Sequence, residues 1–300
     1  RRVLFRSKGP AIEEIRCLTH ADHKGKKGWI EVSGKIANYA NSRLEICLKD
    51  SKGKKVLRES ISSAEFAKKG FRSKKIPVSL WWPNGHGRQE VYKLEIGLLS
   101  RDGTVEDKVS RIVGFRSVEW KQCKGAPKNA DPWICVVNGK PVFLQGVNWT
   151  PLLPNFADVA ESDTLNLVGK YKDMGCNLLR VWGGATLEKE SFYEACDRLG
   201  LMIWQEFPLS SSGIDNSPPD DKNSISELAG IARSYILRRQ HHPSLIIWCG
   251  GNELQTKMDG TPGGGKPIDC SNPTIAKFAK ILEELDPERR FLPTSSSGPL

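Results

Sequence analysis

The stretch Ser244-Leu245-Ile246-Ile247-Trp248-Cys249-Gly250-Gly251-Asn252-Glu253-Leu254 decides how the rest of this chain is read. Leu245 to Trp248 is an apolar run without alternation, which suits a parallel strand covered on both faces. The run stops in two glycines, which allow a tight turn and close approach of a ligand. The next two side chains are a hydrogen-bonding amide, Asn252, and a carboxylic acid, Glu253. In parallel α/β sheets the carboxyl ends of the strands are where catalytic groups sit. On these residues alone a second reading stays open, in which Asn252 caps a helix and Glu253 is a solvated first-turn acid.

Working outward, residues 121–300 alternate strand and helix. Strands are predicted at Val142–Trp149, Asn177–Trp182, Leu201–Phe207, Leu245–Cys249 and Phe291–Ser295. Helices are predicted from Asp163 to near Gly175, over Leu187–Leu199 with Gly200 as a stop signal, over Ile225–Gln240, and from about Asn272 to Leu285. That alternation predicts a (β/α)8 barrel of which the chain carries about five strands. Residues 8–120 read differently. Trp29–Ile36 and Arg43–Lys49 alternate apolar and polar residues, and further short strands are predicted at Lys75–Leu80, Val91–Leu99 and Ser110–Val118, which together make an antiparallel sandwich. In the loop Leu80-Trp81-Trp82-Pro83-Asn84-Gly85-His86-Gly87, packing of the two tryptophans against a neighbouring domain is favoured over stacking on a sugar.

Composition bounds the function. Three hundred residues with 38% hydrophobic and 27% charged content describe an ordinary globular chain of two domains, and no apolar run is long enough for a membrane span. The net charge of +10 is concentrated in short clusters before residue 80, without a nucleic-acid motif, so a solvated basic surface is expected and no nucleic-acid partner. Residues 1–7 read as a non-native leader. The eight cysteines show no Cys-x-x-Cys pair or zinc spacing, and buried free thiols are expected. His241-His242, before Pro243, reads as a helix terminus and not as a metal-ligand pair.

If Leu245–Cys249 is a barrel strand, the other strand ends should carry chemistry as well. They end in Asn148-Trp149, in Arg180-Val181-Trp182-Gly183-Gly184 and in Trp204-Gln205-Glu206-Phe207. Tryptophan, arginine, asparagine and carboxylates around a concave mouth suit a carbohydrate, because indole faces stack on a pyranose while amides and carboxylates bind its hydroxyls. Cleaving a glycosidic bond needs a proton donor and a second carboxylate. Glu253 is the candidate donor, with Asn252, Trp182, Arg180, Asn148, Trp149 and Glu206 as candidate substrate-binding residues. Arg180 pairing only with Glu206, and Trp149 or Trp182 only plugging the barrel mouth, remain the structural alternatives.

These motifs, with Leu80–Gly85, Gly114-Phe115-Arg116, Asn138-Gly139-Lys140-Pro141 and Gly146-Val147-Asn148-Trp149, resemble glycoside hydrolase family 2 and its β-mannosidase group. The resemblance implies an immunoglobulin-like β-sandwich followed by a catalytic TIM barrel, and retention of anomeric configuration. It makes Glu253 the general acid/base and Asn252 the partner of the hydroxyl beside the reacting carbon. It sets Arg180 on the barrel floor and Trp182 in the subsite of the cleaved sugar. The family's nucleophile, a glutamate on the seventh barrel strand, is expected beyond Leu300, which would leave the isolated chain inactive. Trp182-Gly183-Gly184 favours the mannosidase branch, since galactosidase and glucuronidase relatives usually carry Ser-His-Tyr there. The expected substrates are β-linked mannosides of glycans or mannan, with no cofactor and no metal. The rivals are another family 2 β-glycosidase, or a carbohydrate-binding relative that has lost turnover.

Overall fold

The structure is a computed structural model that describes residues 9–210, 216–257 and 265–296. The leader expected over residues 1–7 lies outside the described residues. The chain divides into two compact units, one of residues 1–81 and 90–116, the other of 82–89 and 117–300.

The first unit contains β1 (Ala11–Asp22), β2 (Lys27–Ala37), β3 (Arg43–Lys49), β4 (Lys55–Ser62), α1 (Ser63–Lys69), β5 (Phe71–Arg72), β6 (Ile76–Pro77), β7 (Tyr92–Leu99) and β8 (Val105–Val113). One sheet runs β1-β2-β5, with β6 also on β2, and the other runs β4-β3-β7-β8. Alternation on neighbouring strands explains the second sheet. Leu44, Ile46 and Leu48 on β3 stand opposite Leu98, Ile96 and Leu94 on β7, and all six are fully buried. Each such side chain contributes roughly 1.5–3 kcal/mol of burial, so the register is set by apolar pairs, and a one-residue slip of either strand would turn its three outward. The strand predicted over Lys75–Leu80 is only the two residues of β6 plus a bridge from Leu80 to Phe115. Within it Pro77 has no N–H for a ladder.

The second unit opens with an antiparallel sheet, β11-β10-β9, built from β9 (Val118–Lys121), β10 (Ile134–Val137) and β11 (Lys140–Val142). It continues with β12 (Gly146–Trp149), α2 (Glu161–Asp173), β13 (Leu178–Val181), α3 (Glu190–Leu199), β14 (Met202–Glu206), α4 (Lys222–Arg239), β15 (Leu245–Cys249), α5 (Pro273–Leu285) and β16 (Arg290–Leu292). Strands β12 to β16 form one parallel sheet in chain order, five successive strands of a TIM barrel. All five residues of β15 are buried, as a strand covered on both faces requires. The single strand predicted over Val142–Trp149 is in fact two, in different sheets. Asn177 makes the switch possible: its Nδ2 donates to Phe143 O at 2.8 Å and its Oδ1 accepts from Gln145 N at 2.9 Å. The backbone between the strands is thereby satisfied without a sheet partner.

Asp221 caps α4 and Asn272 caps α5, each side chain accepting from two backbone N–H groups, and Gly200 ends α3 at φ 81°. The turn after α4 is pinned to α3. The fully buried Asp197 accepts from Ser244 N at 3.0 Å, Ser244 Oγ at 2.6 Å and His242 Nδ1 at 2.6 Å. On the other side, Glu190 Oε1 lies 3.1 Å from His241 Nε2 and 3.3 Å from His242 Nε2, while Arg239 takes Oε2. Burial lowers the His242 pKa, but the Asp197 and Glu190 carboxylates outweigh burial and raise it. A raised folded-state pKa gives stability that is complete below the unfolded value, about 6.5. That contribution is lost as pH rises through the folded value. The stability gap between wild type and His242→Gln, read from urea midpoints, should therefore be larger at pH 6 than at pH 9.

All eight cysteines are free thiols, with Cys123 and Cys270 exposed and the other six buried. Among the described residues no helix is long and apolar enough to cross a membrane.

Candidate active site

The site is assembled at the carboxyl ends of β12 to β15. In β13 and β14 the pleat sends alternate side chains to opposite faces. Arg180 and Glu206 therefore meet on one face, while Gln205 faces α3, where Tyr193 donates its hydroxyl proton to Gln205 Oε1. Arg180 is the hub. Its Nε and Nη2 donate to Glu206 Oε1 at 3.1 and 2.8 Å, Nη1 to Asn148 Oδ1 at 3.1 Å, and Nη2 to Asn252 Oδ1 at 2.6 Å. Four strand ends are thus tied by one guanidinium, whose fork of donors suits several acceptors at once.

The Glu206 side chain is fully buried, and both of its oxygens are engaged. Oε2 accepts from Gly183 N at 2.7 Å, and Cys249 Sγ lies 3.6 Å from Oε1. Burial, reinforced by the Glu206 carboxylate, pushes the Cys249 thiol up, so it stays protonated and able to donate. This places Glu206 as a holder of Arg180 and of the Trp182-Gly183-Gly184 turn. Trp182 is half-buried and folds over that turn: a Cβ on Gly184 would stand 2.1 Å from its ring. A Cβ on Gly183 would stand 2.6 Å from Leu209 O and 3.1 Å from Asn252 N, so both turn positions need glycine.

Asn252 is buried, with its N–H on Leu209 O at 2.8 Å and its Nδ2 3.4 Å from Ser210 Oγ. Glu253 follows with its side chain exposed at the rim and its backbone left-handed, φ 51°. The turn Gly250–Glu253 is not the start of a helix, which removes the cap reading of Asn252. Trp149 does not join this cluster. It is 2% exposed, packs against Phe192 and Tyr171, and donates its Nε1–H to Glu188 Oε1 at 2.9 Å. Strand alternation is the reason: Asn148 faces Arg180, so its neighbour Trp149 faces the helix layer.

Asn148, Arg180, Glu206 and Asn252 are brought together, with Trp182 and Glu253 on the adjoining turns. Sequence reasoning did not find Cys249, Gly183 N, Ser210 or Leu209 O. Gly183, Leu209 and Ser210 are held by loop geometry, for which the sequence carries no periodic signal, while Cys249 ends β15 and read only as a buried thiol. Ligand atoms that converge on a possible cation site belong, among the described residues, to Glu190, His241 and His242, where Arg239 already takes the second Glu190 oxygen. His241 and His242 stand before the amino end of β15, and Glu190 opens α3.

A sandwich is thus followed by parallel barrel strands that carry arginine, asparagines and an exposed carboxyl at one rim. Residues 11–116 match glycosyl hydrolases family 2, residues 132–292 match the family's TIM barrel domain, and the chain belongs to that family. It is 38% identical over 235 residues to the β-mannosidase of Mus musculus, covering 75% of this chain and 26% of that protein. It is 32% identical over 179 residues to the mannosylglycoprotein endo-β-mannosidase of Lilium longiflorum, covering 58% and 18%. Among solved structures, the β-D-mannosidase of Dictyoglomus thermophilum superposes with a TM-score of 0.76 at 28% identity, over 96% of this chain and 35% of that one. A β-glucuronidase of Parabacteroides merdae superposes with a TM-score of 0.71 at 19% identity, over 94% and 34%, and shares the fold. The chain therefore spans about a quarter of the length of the mouse relative it matches.

Proposed function

We propose that the protein containing this chain is a retaining β-mannosidase that cleaves terminal β-mannosidic bonds, with Glu253 as its general acid/base. The observation that carries this reading is the rim itself. An exposed carboxyl follows directly on an amide, Asn252, whose oxygen is fixed by Arg180. In the first step Glu253 protonates the leaving oxygen while a glutamate carboxylate, expected on the seventh barrel strand as in the family, attacks the anomeric carbon. In the second step Glu253 takes a proton from a water whose oxygen attacks the anomeric carbon and displaces the glutamate carboxylate, which releases the sugar with its configuration retained. Asn252 and Asn148 offer hydrogen bonds to sugar hydroxyls, and Trp182 a face for the pyranose. Arg180 contributes positive charge beside them. Glu206 acts on the site through Arg180 and Gly183 and does not touch the sugar.

The similarity to β-mannosidases from mouse and from Dictyoglomus thermophilum supports the mannoside reading. The lily endo-β-mannosidase favours a second one, attack on an internal mannosyl linkage of a glycan. The test is kcat/KM of the intact protein on aryl β-mannoside beside β-galactoside, β-glucoside and β-glucuronide. A mannoside preference of about a hundredfold or more is expected, a scale set by site hydrogen bonds left unpaired with the wrong sugar. Activity on a mannosylated glycopeptide but on no aryl mannoside would select the endo reading. Sugar binding without turnover on any substrate would sink the enzyme.

A further inference from the structure

The backbone of Glu253 is left-handed at φ 51°, a conformation unfavourable for a residue with a Cβ, so its neighbours must hold it there. The peptide groups on both sides of Glu253 are clamped. Its N–H donates to Ser295 Oγ at 2.9 Å, and its C=O accepts from Asn216 Nδ2 at 2.9 Å. The next N–H, that of Leu254, donates to Thr294 Oγ1 at 2.7 Å, while Ser295 N–H donates to Gly251 O at 3.1 Å. Gln255 N–H returns to Asn216 O at 3.2 Å. Two segments far apart in sequence therefore converge on a single residue: the hydroxyls that follow β16, and the Asn216 amide that precedes α4.

We infer that Ser295 and Asn216 are positioning residues for the candidate acid/base. They fix φ and ψ of Glu253, and with them the direction in which its carboxyl leaves the rim. The inference rests on the reading of Glu253 as proton donor. Proton transfer demands placement within hydrogen-bond reach of the leaving oxygen, and small misplacements cost rate steeply. Thr294 is fully buried and belongs to the packing between strand ends. Ser295 and Asn216 are only half-buried, and their removal leaves no void in the core.

The test compares Ser295→Ala, Ser295→Thr, Asn216→Ala and Glu253→Gln with wild type in the intact protein. Two aryl β-glycosides of the preferred sugar are used, one with an activated dinitrophenolate leaving group and one with a poor phenolate. Ser295→Ala and Asn216→Ala are each expected to lose about tenfold in kcat/KM on the poor leaving group and less than about twofold on the activated one. Ser295→Thr keeps the hydroxyl and should recover most of the loss. Equal losses on both substrates would mark a merely structural role and overturn the inference, as would no loss at all. If Glu253→Gln shows leaving-group dependence and the clamp variants do not, the positioning role alone falls. If Glu253→Gln shows none, the acid/base reading falls and takes this inference with it.

Discussion

Replacing Glu253 by Gln in the intact protein is expected to lower kcat/KM on substrates with poor leaving groups by about 10²–10⁴-fold. Activated aryl glycosides should be spared, because their leaving group needs no proton. The amide matches the carboxyl in size and the side chain is exposed, so the fold is not at risk. On the proposed reading, the substitution removes the proton donor of the first step and the base of the second. Added azide, a nucleophile that needs no base, should then restore turnover and yield the glycosyl azide of retained configuration. An unchanged ratio between poor and activated substrates would sink the assignment of Glu253.

The largest effect on stability should come from Arg180→Ala. The side chain of Glu206 is fully buried and that of Arg180 only 17% exposed, so the substitution strands a carboxylate without its countercharge. Breaking such a pair from one side costs about 3–5 kcal/mol. Asn148 and Asn252 lose a donor in the same step. Removing the second charge as well, in Arg180→Ala with Glu206→Gln, should recover a substantial part of the loss, because the penalty lies mainly in the stranded charge. Urea midpoints of the two variants against wild type decide the matter. A single-variant cost under about 1 kcal/mol would mean that water reaches Glu206 and that the rim is less closed than described.

Much of this architecture was legible because two periods carry it. The continuous run Leu245–Trp248 announced a strand buried on both faces, and the alternation of Arg43–Lys49 announced a half-buried one. β1 was missed, although it is the longest strand. Its inward residues Ile15 and Cys17 lie among Glu13, Glu14 and Arg16, and a bulge at Ile12/Glu14 breaks the alternation. The first-unit helix α1 was missed as well. Its seven residues hold one buried aromatic, Phe66, too little for a 3.6-residue period to show. At the site the strand ends were legible and their facing was not. Asn148 and Trp149 are neighbours, so the pleat sends only one of them to Arg180, and the motif names both. The Glu253 clamp left a trace that went unread. Thr294-Ser295-Ser296 is a run of hydroxyls that follows the strand β16 after Pro293, where a parallel sheet delivers functional groups.

The cysteines carry a different consequence. The first unit holds two, Cys17 and Cys47, both buried, and burial pushes the Cys17 thiol up to about 12. The second unit holds the two exposed ones, Cys123 and Cys270, beside four buried ones. A thiol reagent therefore meets Cys123 and Cys270 at once and the others only when the backbone around them opens. Each unit thus contains its own chemical clock. The order in which the buried cysteines of the two units take up label in rising urea separates the opening of the first unit from that of the second, with no residue changed.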